Sequence, residues 1–181
     1  MKTKALLVIP IINENPTIFN DLIKSVRTFM EFDLLFSISF SNNYLDKYNL
    51  LQQENKDFLN IHIDPNNNKS VLFKSSIEVF KSNRKFASYK HIITIKNFTS
   101  DHISLLYKSV TEINKTYCKI IYFPINKLRK KDYSYPNSEI AIIEKDFLLS
   151  LNINPLNRFK TYLKLLLKVP KLKREALILS N

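Results

Sequence analysis

The sequence predicts a three-layer α/β/α domain built on a mainly parallel, Rossmann-like sheet. Three observations lead there. Short apolar runs alternate along the chain with segments of helical periodicity, the pattern of successive βα units. The first run, residues 5–10, is apolar without alternation, which suits a strand buried on both faces. Polar, asparagine-rich turns follow the predicted strands, at the ends where parallel sheets place their ligands.

Each element follows from local pattern. The first strand ends in the turn Asn13-Glu14-Asn15-Pro16-Thr17. Ile18, Phe19, Leu22, Ile23, Val26 and Met30 then recur at helical spacing and predict a helix over residues 18–30. Residues 34–40 form a second strand, closed by Ser41-Asn42-Asn43. Residues 45–58 read as a polar helix and residues 59–63 as a short third strand. Asp64-Pro65-Asn66-Asn67-Asn68 is the strongest loop in the chain. The next helix, residues 70–81, carries Val71, Phe73, Ile77 and Phe80. Residues 91–95 give a fourth strand; Thr99-Ser100-Asp101 starts a helix whose body is residues 103–113. Residues 119–123 give a fifth strand, 127–136 a basic loop with tyrosines, 138–143 a sixth strand and 145–151 a short helix. A basic helix over residues 157–169 ends at Pro170. With no internal repeat and no low-complexity linker, the expectation is one domain over residues 1–181, with a basic helical C-terminal segment at residues 157–181.

Composition removes several functions. The chain has 181 residues and no glycine, where ordinary usage of about 7% would give about 13. That excludes a dinucleotide-binding G-x-G-x-x-G turn, a Walker A loop, a G-x-S-x-G nucleophile elbow and an EF-hand loop. Asparagine is the usual substitute in left-handed turns. The single cysteine, Cys118, allows no internal disulfide, and with His62, His91 and His102 scattered, a Cys/His zinc site is not expected. Residues 5–12 imitate a short signal peptide, but the run stops at Asn13-Glu14-Asn15 without a small-residue cleavage site. No apolar run reaches the roughly 18 residues of a spanning helix. The expectation is a cytoplasmic protein, peripheral at a membrane if its basic segment docks there.

Val8-Ile9-Pro10-Ile11-Ile12-Asn13-Glu14 resembles the V-I-P-x-x-N-E opening of family 2 glycosyltransferases, which have the GT-A fold. Phe40-Ser41-Asn42-Asn43-Tyr44-Leu45-Asp46 falls where that family has V-D-D-G-S-x-D. Residues 66–81 fall on its N-x-G-x-x-x-A-x-N-x-G helix, residues 91–101 on its fourth strand and D-x-D segment, and residues 137–151 on a later apolar strand and short helix. The resemblance covers about residues 4–151 and rests on order and spacing. It implies transfer of a sugar from a nucleotide-sugar donor to a glycan or lipid-linked acceptor, as in surface polysaccharide synthesis. It implies nucleotide contacts at Pro10, Asn13, Glu14, Ser41, Asn42 and Lys96.

The departures matter as much. The two aspartates after the second strand become Ser41 and Asn42, Asn43 stands for the glycine, and the two acids of D-x-D become Lys96 and Phe98. The family's acids hold a divalent cation, and hard cations need oxygen ligands that lysine and phenylalanine do not supply. The expectation is therefore no metal and no other cofactor. Two accounts of the loss stand open. Lys96 supplies the positive charge in a metal-independent transferase, or the domain keeps the fold as a non-catalytic binding module. No catalytic base is assigned; Glu139 and Glu144 are the available carboxylates. Asp46 and Asp101 read as helix-terminal acids, and Ser41–Asn42 as a turn beside their ligand reading.

The formal net charge is +12, and most of it lies after residue 119. Lys127, Arg129, Lys130 and Lys131 cluster with Tyr133 and Tyr135. Lys160, Lys164, Lys168 and Lys171 recur near helical spacing beside Phe159, Tyr162, Leu163, Leu166 and Val169. Such a helix can lie on an anionic membrane surface; the competing reading is a closing helix with a solvated lysine face. Nucleic acid is the lesser alternative, since basic residues interleaved with tyrosines bind phosphates and bases but no recognised motif is present. The composition leaves oligomeric state undetermined.

Overall fold

The computed structural model describes residues 5–29, 32–95, 98–113, 120–124, 138–146 and 176–178. The basic loop at 127–136, the helix at 157–169 and most of the short helix at 145–151 lie outside the described residues, as do Lys96 and Cys118. The strands are β1 (Ala5–Ile11), β2 (Phe32–Ser39), β3 (Leu59–Asp64), β4 (His91–Ile95), β5 (Ile120–Pro124), β6 (Ser138–Glu144) and β7 (Ala176–Ile178). The helices are α1 (Asn20–Phe29), α2 (Leu45–Glu54), α3 (Lys69–Ser82) and α4 (His102–Ile113).

The seven strands form one sheet in the order β3-β2-β1-β4-β6-β5-β7. β1, β2, β3 and β4 are parallel, β5 and β7 pair in parallel, and β6 runs antiparallel between β4 and β5. The mainly parallel α/β sheet expected from the sequence is therefore observed. β7 was not anticipated: its three residues are too short for periodicity to reveal.

β1 is buried along its whole length. Ala5, Leu7, Ile9 and Ile11 face a core shared with Phe32, Leu34, Phe36 and Ile38 of β2 and with Phe19, Leu22, Val26, Tyr48 and Leu106 from the helical side. Strand alternation sends Leu6, Val8 and Leu35 to the opposite face, where α3 packs with Leu72, Phe73, Ser76, Ile77 and Phe80 buried. Ser37 confirms the assignment: its buried hydroxyl donates to the Leu72 carbonyl at 2.9 Å. Helices thus cover both faces, as a doubly buried parallel sheet requires.

Several boundaries differ from the sequence reading for local reasons. Pro16 opens a 3-10 turn, Pro16–Phe19, before α1 begins. α2 stops at Glu54, four residues before the expected end. Asn55 turns the chain there: its Nδ2 donates to Leu51 O at 2.8 Å, and Arg27 of α1 donates to its Oδ1 at 2.9 Å. Phe58 is then free to enter the core.

Asparagine closes several of the described turns and helix starts. Asn15, Asn42, Asn68 and Asn83 each accept, through Oδ1, the backbone N–H two residues on, from Thr17, Tyr44, Ser70 and Lys85. This is the Asx-turn, a side-chain copy of a backbone turn.

At the amino-terminal ends of the strands, Tyr89 donates a hydrogen bond to Asp33. Lys145 sits 4.6 Å from the centroid of the Phe80 ring and donates to Phe86 O at 3.3 Å. On the other face Phe19 meets Phe36 at 4.8 Å, Phe98 at 5.4 Å and Tyr48 at 6.4 Å between ring centroids. Phe19 is 1% exposed. Phe19→Ala should therefore lower unfolding stability by about 3–5 kcal/mol, read as a fall in the urea midpoint with an unchanged m-value.

Candidate functional site

The strand order reverses direction at β1. From β1 the chain runs outward through β2 to β3, then returns on the opposite face through α3 to β4 on the other side. Open α/β sheets bind ligands at such a switch point, beyond the carboxyl ends of the strands. Among the described residues, β1 pairs with β2 from Ala5↔Phe32 to Ile11↔Ile38 and with β4 from Ala5↔His91 to Val8↔Thr94.

Pro10 is buried within β1 and paired with Ser37. Asn13 and Glu14 lie just above. Asn13 Oδ1 accepts the Asn43 N–H at 3.1 Å, which ties the turn after β1 to the turn after β2. Glu14 Oε2 accepts the Ile12 N–H at 2.7 Å, and its Oε1 lies 2.7 Å from Lys69 Nζ. Tyr48, fully buried, donates its hydroxyl to the Glu14 carbonyl at 3.1 Å. Ser41 is exposed and its Oγ lies 2.9 Å from Ser39 Oγ. Asn42 is buried beside it. The structure thus brings Asn13, Glu14 and Asn43 together; Lys96 lies outside the described residues.

Lys69 and Tyr48 were missed in the sequence. For Lys69 a signal existed: it opens α3, the helix end where the macrodipole disfavours a cation. Its bond to Glu14 supplies the compensating charge. Burial works to raise the Glu14 pKa, but the hydrogen bond and charge of Lys69, with the Ile12 N–H, outweigh it. The carboxyl is held below its ordinary 4.5. Burial, with the Glu14 charge second, pushes the Tyr48 phenol upward.

A second cluster closes β3. His62 Nε2 lies 2.7 Å from Ser75 Oγ and 3.8 Å from Asp64 Oδ2. Ser75 also bonds to the Asp64 carboxylate, so its hydroxyl proton goes to Asp64 and its lone pair takes Nε2–H. Hydroxyl and carboxylate address the same ring nitrogen, whereas a nucleophilic triad needs opposite ones. Asp64 also accepts the Asn66 N–H at 2.8 Å. Burial opposes these bonds, and they prevail, leaving Asp64 below its ordinary 3.8.

At the end of β4, Phe98 packs against Phe19 and lies 6.2 Å from the His102 ring. Thr99 donates its N–H to His102 Nδ1 at 2.9 Å and holds the start of α4; Asp101 is exposed there. Asp46 lies in the first turn of α2 as a helix-terminal acid. The antiparallel register of β6 puts residues 139 and 144 toward opposite ends of the strand. Glu144 stands opposite His91, at the far edge of the sheet, while residue 139 adjoins Ile140↔Ile95 at the site rim.

The described residues at these strand ends do not fit a divalent cation. Residue 98 is a partly buried aromatic ring packed against the core, Asn42 and Ser41 are neutral, and among the described residues no group of three His, Cys, Asp or Glu could hold a metal. Among the same residues no helix is long and apolar enough to cross a membrane.

No family model matches the sequence, and no curated protein matches it. Solved structures do match. Glucosyl-3-phosphoglycerate synthase from Mycobacterium tuberculosis, in complex with Mn2+, UDP and phosphoglyceric acid, superposes with a TM-score of 0.63 and 12% identity, covering 99% of this chain and 68% of that one. The mannosyltransferase PcManGT from Pyrobaculum calidifontis, in complex with GDP-Man and Mn2+, gives 0.54 and 12%, over 82% of this chain and 46% of that one. HddC from Yersinia pseudotuberculosis, complexed with GMP-PN, gives 0.52 and 9%, over 88% and 86%. At these identities the likeness shows the fold, which is of the GT-A type.

The two lowered carboxyls fix the acid response. Each holds fewer protons folded than unfolded, so its stabilisation is fully present above its unfolded pKa of about 4 and is lost as pH falls through the lower folded value. Urea midpoints should fall between about pH 5 and pH 2, and Glu14→Gln should lower the neutral-pH midpoint and make that decline shallower.

Proposed function

We propose that this chain is a divergent glycosyltransferase-type protein that binds a nucleotide-sugar at the carboxyl ends of β1 and β2, and that it does so without a divalent cation. The observation that carries the reading is the Asn13–Asn43 bond, which joins two strand-end turns beside Glu14 at the switch point, in a fold shared with sugar-nucleotide enzymes. In this reading Asn13 and Glu14 meet the nucleoside, Ser41 and Asn42 border it, and Pro10 supports them from below. Positive charge for the diphosphate comes from Lys96 and from Lys69 at the start of α3. The loss of the D-x-D acids is part of the proposal: Phe98 in the aromatic core supports it.

A second reading is a binding module of the same fold. It is favoured by Glu14, whose two carboxylate oxygens are already engaged by Ile12 and Lys69. Transfer requires a carboxylate base near the acceptor, and the β6 register leaves Glu139 as the candidate at the rim. Release of nucleotide diphosphate from a sugar donor, lost in Glu139→Gln with donor binding intact, separates the transferase from the module.

Binding itself is tested by thermal shift with UDP-, GDP- and CMP-sugars, with and without Mn2+. A donor at about 100 times its Kd should stabilise by about 2.7 kcal/mol, or roughly 5–10 °C, equally in EDTA. Stabilisation that requires Mn2+ overturns the metal-free claim. No response to any of the three overturns the nucleotide reading.

A further inference from the structure

β3 ends the sheet, so one of its edges is open. The bonds to β2 fix which residues face that edge. Leu34 and Phe40 donate their N–H groups to the carbonyls of Phe58 and Asp64. Every second residue of a strand bonds to the same neighbour. Residues 58, 60, 62 and 64 therefore turn to β2, and residues 59, 61 and 63 turn away. The Leu59 N–H is already given to Asn55 O at 2.8 Å. Ile61 and Ile63 each present a backbone N–H and C=O at the edge, with no partner among the described residues.

The usual guards of such an edge are missing. β3 holds no proline and no lysine, and its register with β2 is unbroken by a bulge. Ile63 is 42% exposed, a large apolar side chain at the margin of the sheet. An unguarded edge pairs with another extended backbone, and β3 is complementary to itself. We infer that β3 pairs antiparallel with β3 of a second copy, about a two-fold axis at His62, so that one sheet runs through both chains.

The free groups select this register. With His62 on the axis, Ile61 of each copy stands opposite Ile63 of the other, and each pair exchanges two hydrogen bonds. Every free N–H of these residues then meets a free C=O. An axis at Ile61 would set Ile63 against Leu59, whose N–H is used. An axis at Ile63 would set Ile61 against Pro65, which has no N–H. The side chains agree with the backbone. Paired residues share a face, so the four isoleucines form one apolar cluster. On the other face residue 60 stands opposite residue 64. Lys85 Nζ is held on Asn60 Oδ1 at 2.9 Å, so its ammonium faces the Asp64 carboxylate of the other copy, twice by symmetry.

The test is sedimentation of the full chain over a concentration series, as wild type and as Ile63→Lys. The wild type should shift reversibly to twice the chain mass. Ile63→Lys puts a charge where the apolar pairs form, so it should raise the dimer dissociation constant about tenfold or more, with circular dichroism unchanged. Cysteine cross-linking in a Cys118→Ser background reads the register. Residues directly opposite in an antiparallel pair come within disulfide reach. His62→Cys should therefore join two copies under diamide, while Ile61→Cys and Ile63→Cys, displaced from the axis, should not. Cross-linking carries the test if Ile63→Lys fails to fold. A single species of chain mass up to about 1 mM, a dimer that Ile63→Lys leaves intact, or cross-linking through residue 61 or 63 in place of 62 overturns the inference. A chain that stays monomeric and takes up an unrelated extended peptide at this edge overturns it too.

Discussion

Much of this molecule depends on the burial of β1. The strand pairs with β2 along its whole length and with β4 on its other side, and it is buried throughout. Pairing on two sides and burial on both faces make β1 the fixed centre of the sheet. The chain leaves that centre at the carboxyl ends of β1 and β2 through polar turns, which Asn13 and Asn43 join.

The rim is held by few bonds, and they connect elements far apart in sequence. Asn13 reaches Asn43, Glu14 reaches Lys69, and Tyr48 rises from the core to Glu14. Together they fasten the turns after β1 and β2 to the beginning of α3. Tyr48 also touches Phe36 and Phe19, so the polar rim and the aromatic core share a residue. Packing at Phe19 and Phe36 is therefore linked to the backbone at Glu14 through one phenol.

The alternation of elements was legible because burial on both faces leaves an unbroken apolar signature, as in residues 5–10, and because Pro and Asn mark the turns. The antiparallel direction of β6 was not legible: a buried strand looks the same read either way. The end of α2 was misjudged because Asn55 stops the helix only with Arg27 from another helix. Asn13 and Glu14 stand out in the sequence through a local motif. Lys69 and Tyr48 do not, since each matters through a contact across more than 30 residues of chain. The Ser75–His62–Asp64 group was hidden because its serine comes from a separate element.

The asparagine turns have a consequence outside the folded structure. A glycine turn is flexible in the unfolded chain, and that freedom is lost on folding; a residue with a Cβ has less to lose. Where the native backbone tolerates the change, the difference is about 0.4–1 kcal/mol per position. A chain without glycine applies it at every turn, and Asn15, Asn42, Asn68 and Asn83 offset the loss of glycine's freedom with a local hydrogen bond. Part of what keeps this protein folded is therefore the narrowness of its unfolded ensemble. Introducing glycine at these turns would loosen the denatured state even where the native contacts survived.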